Sequence, residues 1–100
     1  MVVVTVKGRN DKVEIKGHAM YDDFGKDIVC SGISSIVTTS VNAILTFNKN
    51  YIKYTIKDDL FTIEVNEHNE IVDNLLNNMI NMLEEVEKDY PKNIKIRKEN

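Results

Sequence analysis

The 100-residue sequence holds one cysteine, one proline, four glycines and no tryptophan. A single cysteine excludes a disulfide framework within the chain and any metal site built from several thiolates. There is no Gly-rich phosphate loop, no HExxH, no GxSxG and no paired set of zinc ligands. No linker and no low-complexity run divides the chain. Neither charge sign dominates: 13 Lys+Arg stand against 16 Asp+Glu, a net charge of −3. That is too mild for a disordered chain, and 42% hydrophobic residues supply a packed core. A chain of this length buries roughly two thirds of its unfolded surface, so residues 1–100 are read as a single domain. The acidic balance argues against direct nucleic-acid binding, because phosphate needs a basic face.

Signals for export or membrane insertion are also lacking. The start, Met1 to Val6, is apolar but has no basic flank and no small-residue cleavage site. The stretch from Ile28 to Asn48 carries no charge, yet nine of its 21 residues are Ser, Thr or Asn. A spanning helix is predominantly apolar, so this stretch is read as a helix buried in a soluble cytoplasmic protein, with no membrane partner.

What is present falls into alternating blocks. Residues 2–7 are β-branched and 12–18 alternate around Val13 and Ile15, which reads as a hairpin turning at Gly8-Arg9-Asn10-Asp11. Residues 20–26 show no period and read as a loop. Asp27 is a good N-cap for a first helix over 28–47, whose apolar positions wrap most of the way round and call for covering on most sides. Residues 51–57 and 60–66 form a second hairpin across Asp58-Asp59. A second helix spans 70–89, with an apolar stripe through Ile71, Val72, Leu75, Leu76, Met79, Met82, Leu83 and Val86, and stops at Tyr90-Pro91. A short strand over 94–97 closes the chain. The order β-β-α-β-β-α-β predicts an α+β domain with two helices on a mostly antiparallel sheet. Charge is uneven along it. Residues 67–90 carry seven acids and one base, Lys88, and are read as a solvated acidic helix face.

One local arrangement carries possible chemistry. His18 ends a strand, and Cys30 falls third in a helix capped by Asp27, twelve residues later. The first turn of a helix favours a thiolate, and an imidazole is the usual proton partner of such a nucleophile. Ser34 lies one turn beyond Cys30 on the same side. The bland alternatives stand beside this reading. A lone cysteine is more often a small core residue, and a histidine at a strand end is more often a surface residue. Asp27 serves as a plain cap in either case, Ser34 bonds to its own helix, and Gly25 is a turn residue or a hinge. His68 reads as a surface residue near the start of the second helix, without an acid–base partner close by. Tyr51 and Tyr54 with Lys49, Lys53 and Lys57 mimic a base-stacking platform, but Glu64 opposes them and the segment is neutral.

Gly17-His18-Ala19, a loop containing Gly25, and Asp27-Ile28-Val29-Cys30-Ser31-Gly32-Ile33-Ser34 together resemble the bacterial ribosomal-processing cysteine protease family, Prp. Length and element order are similar along essentially the whole chain. The resemblance implies a cysteine endopeptidase that removes the N-terminal extension of large-subunit ribosomal protein twenty-seven, a step in ribosome maturation. It implies Cys30 as nucleophile, His18 as general base, and Asp27 and Ser34 in support. Residues Ala19, Met20, Tyr21, Asp22, Asp23, Phe24, Gly25 and Lys26 match a mobile segment that orders over the substrate. It also implies a homodimer, which would cover the first helix. No metal and no cofactor is expected. The alternative is a non-catalytic module of the same fold that binds a ribosomal protein or an assembly factor.

Overall fold

A computed structural model describes residues 1–17 and 28–100. The elements run β1 (Val2–Lys7), β2 (Lys12–Lys16), α1 (Ile28–Phe47), β3 (Ile52–Lys57), β4 (Leu60–Val65), α2 (Glu70–Asp89) and β5 (Ile94–Glu99). Both helices keep the bounds their sequence patterns predict, and β5 runs two residues longer than expected.

The five strands form one sheet in the order β3-β4-β2-β1-β5. Three pairings are antiparallel, and β5 joins β1 in parallel. The first hairpin turns through Gly8 and Asn10, both at positive φ (62° and 59°), with the Asp11 N–H donating to Lys7 O at 2.9 Å. The second turns at Asp58, φ 54°. Gly, Asn and Asp are the residues that tolerate this left-handed backbone.

Alternation gives the sheet two unlike faces. One carries Val2, Val4, Val6, Val13, Ile15 and Ile63, all buried, and merges with both helices into a single core. The other, open face carries the alternate residues of every strand. Among them are Lys7, Lys12, Lys16, Lys53 and Lys57.

Helix α2 matches its binary pattern well. Asn69 caps it, accepting from the Val72 N–H at 2.9 Å, and Tyr90 closes it with its N–H on Val86 O. Its buried residues are Val72, Leu76, Met79, Ile80 and Leu83. Here the expected stripe needs correction: Met82 is 45% exposed and Ile80 takes the core position. The stripe is centred toward residue 80, and Met82 falls off its edge.

Helix α1 departs further from expectation. It is long and apolar enough, by length and composition alone, to cross a membrane. In the fold it buries one face, through Val29, Cys30, Ile33, Val37, Val41 and Ile44. Its outward positions are Ser35, Thr38, Thr39, Asn42 and Thr46, uncharged but polar. The helix is therefore covered by the sheet and α2 on one side and is not buried all round. Only Ile28 and Phe47, at its two ends, stand out as large exposed apolar side chains, at 74% and 63%. Ser40, the buried hydroxyl of this helix, is satisfied by Ile36 O at 2.7 Å.

Candidate active site

Cys30 is the third residue of α1 and is 5% exposed, set into the core cluster between the helix and the sheet. The first helical turn, Ile28 to Ser31, contains no acid. Cys30 is the group of that turn able to take up negative charge, and the positive end of the helix dipole favours its thiolate. The first N–H groups of a helix have no intrahelical partner and are met by a capping side chain, water or a ligand. Ser34, one turn on, shares the helix side of Cys30 and is half-buried. His18, Asp27 and the 19–26 segment lie outside the described residues.

Gly17 gives the motif a physical reason that the sequence reading lacks. Its φ is 128°, a value that favours glycine. A Cβ there would stand 2.9 Å from Met1 O and 3.1 Å from Val2 Cα. Its N–H also donates to Asp59 O at 3.0 Å. The backbone that delivers residue 18 is thus packed against the N-terminus and tied to the β3–β4 turn.

His68 needs a correction. It is exposed, as expected, but it has two acid partners. Protonated, it donates from Nδ1 to Asp73 Oδ1 at 2.7 Å and from Nε2 to Asp11 Oδ1 at 2.6 Å. Its pKa is raised above 6.5, first by the bond to Asp73 and then by that to Asp11. Asp73 lies five residues away and was available as a signal. Asp11 lies 57 residues away and arrives only through the fold. A second link, Asn10 Nδ2 to Asn77 Oδ1 at 2.7 Å, joins the same turn to α2. With Arg9 these residues line an open polar depression of about 540 Å³. It sits at the start of β2, while Gly17 follows the end of that strand about 20 Å away at ~3.3 Å per residue. The His68 cluster is thus remote from the Gly17 end.

A smaller, more apolar notch of about 190 Å³ lies between α1 and the β3–β4 hairpin, lined by Thr38, Val41, Asn42, Tyr54, Ile56 and Phe61. Tyr54 stacks on Phe61 with ring centroids 5.8 Å apart. Tyr54 is therefore on the helix side of the sheet, while Lys53 and Lys57 are on the open side. The base-stacking platform considered from the sequence is not assembled.

The family model described as cysteine protease Prp matches residues 1–95. This chain belongs to the cysteine protease Prp family. It is 34% identical over 98 residues to the ribosomal processing cysteine protease Prp of Staphylococcus aureus, covering 95% of this chain and 92% of that one. To the Bacillus subtilis protein of the same name it is 29% identical over 107 residues, covering 96% of each. The fold agrees equally well. The crystal structure of S. aureus Prp with a covalently linked product peptide superposes with a TM-score of 0.85, at 28% identity, over 98% of this chain and 99% of that chain. A second S. aureus Prp structure, holding a substrate peptide, superposes with the same score. As a Prp protein this chain is a cysteine protease, and its one cysteine is Cys30.

Proposed function

We propose that this protein is a ribosomal-processing endopeptidase that removes the N-terminal extension of large-subunit ribosomal protein twenty-seven, using Cys30 as nucleophile and His18 as general base. The observation that carries the reading is the position of the one cysteine of a Prp chain, in the acid-free first turn of α1. The S. aureus relative supports it, since that enzyme is seen with a substrate peptide and with a covalently linked product peptide.

In this reading His18 takes the proton of the Cys30 thiol. The thiolate attacks the carbonyl carbon of the scissile bond, and first-turn N–H groups of α1 hold the developing oxyanion. Collapse of the tetrahedral species expels the amine of the mature protein, protonated by His18, and leaves a thioester on Cys30. Water, deprotonated by His18, then hydrolyses the thioester and regenerates the thiol. Asp27 and Ser34 support the pair, and residues 19–26 close over an extended substrate. The working unit is a cytoplasmic homodimer, a reading supported by the exposed apolar ends of α1, Ile28 and Phe47.

A peptide spanning the extension junction, followed by mass spectrometry, tests the proposal. The expected result is one cut, lost by at least about 10³-fold in Cys30→Ala and in His18→Ala. Cleavage that survives Cys30→Ala overturns the nucleophile, and binding without cleavage by the unmodified protein favours the non-catalytic module.

A further inference from the structure

The net charge of −3 is a sum over a molecule that sorts its signs by layer. Acids concentrate on α2, which carries Glu70, Asp73, Glu84, Glu85, Glu87 and Asp89 against Lys88 alone. The open face of the sheet is basic. Register lines up its residues in three rows across the five strands. The end row reads Lys57, Leu60, Lys16, Val3, Lys95 from β3 to β5. It contains three lysines, all exposed, and no acid within the row, while the exposed Asp58 and Asp59 of the β3–β4 turn border it beside Lys57. The acids of this face, Glu14, Glu64 and Glu99, fall in the other two rows, where Lys7 pairs with Glu14 at 3.0 Å.

We infer that the row Lys57–Lys16–Lys95 is a docking surface for the phosphate backbone of duplex RNA. Charge complementarity is the ground. The lysines occupy alternate strands, so neighbours in the row stand about 10 Å apart and the row spans about 19 Å, at ~4.8 Å per strand. That length meets several phosphates of a folded nucleic acid, and lysines serve as mobile point charges toward them. The acidic helix lies in the other layer, beyond a screening length of about 8–10 Å at physiological salt, so it does little to repel an anion on this face. No aromatic side chain projects from the open face among the described residues. Tyr54 is held on the opposite side against Phe61. Stacking of single-stranded bases has no platform here, which favours a duplex held by its phosphates. An acidic peptide fits less well, because the face offers neither a groove nor pockets for alternating side chains.

Lys16 directly precedes Gly17 and the candidate base His18, so the row marks the sheet end that leads toward the site. RNA held there would keep the protease beside a substrate that is itself part of a ribosome. The basic surface stands without the proposed cleavage; only the choice of RNA over DNA rests on that reading.

Fluorescence anisotropy of a labelled 20-base-pair RNA duplex of arbitrary sequence tests the inference, because it does not depend on peptidase activity. The expected result for the full chain is binding whose log K falls linearly with log salt. Lys16→Glu/Lys57→Glu weakens it by at least about tenfold and makes the slope shallower by about 2, at ~0.9 per lost phosphate contact. The charge-matched pair Lys88→Glu/Lys98→Glu, on the helix side, stays within about twofold of the unmodified protein. If the first pair fails to keep its melting temperature, Lys16→Gln/Lys57→Gln is expected to reduce the slope in the same direction. No binding at low salt overturns the inference, as do equal losses in both pairs. Tighter binding of an equal-length DNA duplex or of polyglutamate overturns the choice of RNA.

Discussion

The two helices are equal in length, 20 residues each, and opposite in chemistry. Helix α2 closes its own ends. Asn69 caps it, Glu70 and Asp73 face the positive end of its dipole, and Lys88 faces the negative end. Helix α1 has neither an acid in its first turn nor a base in its last. What α1 has in that first turn is Cys30. A helix whose first turn carries carboxylates favours stability, and a helix whose first turn carries a thiol in their place is suited to chemistry.

Core truncations probe the comparison most strongly. Leu76→Ala in α2 and Ile33→Ala in α1 each remove a fully buried side chain, and each is expected to cost about 2–5 kcal/mol in chemical denaturation. A loss at Ile33 well below that at Leu76 would mean that α1 is seated more loosely than its burial indicates. The caps come next. Asn69→Ala removes the side-chain acceptor for Val72 N–H and is expected to cost about 1 kcal/mol. Gly32→Ala is expected to act in the opposite sense. Gly32 lies inside α1 and an added Cβ meets no described atom within 4 Å, so the helix gains about 0.5–1 kcal/mol of propensity. Stability that rises while peptide cleavage falls would show that α1 gives up stability near Cys30 for function.

The smallest effect belongs to His68, which ties the first turn of α2 to the β1–β2 turn through Asp73 and Asp11. Its pKa is raised above 6.5. Its contribution is therefore fully present below that value and is lost as pH rises through the folded pKa. The melting-temperature gap between the unmodified protein and His68→Gln should narrow from about pH 5 to about pH 9. A gap that widens with pH would contradict the assigned protonation.

Much of this was legible in the residues, and the reasons differ by element. Both helices show clear stops, and β1 is an unbroken β-branched run, so their bounds could be read directly. The third-in-helix place of Cys30 followed from those bounds. The one-sided burial of α1 was not legible, since an apolar count around a helix does not say which flank meets water. The exchange of Met82 for Ile80 turned on a small rotation of α2. Asp11 beside His68 and the lysine row of the open face depend on register between distant strands. Whether His18 meets Cys30 falls on residues 18–27, outside the described part of the chain.

Cys30, the proposed nucleophile in the first turn of α1, is expected to be an activated thiol. The rate of its alkylation by iodoacetamide as a function of pH tests this most directly, with Cys30 as the one thiol in the chain. A midpoint clearly below the value of about 8.5 for an ordinary cysteine is expected. A midpoint at or above that value would contradict it.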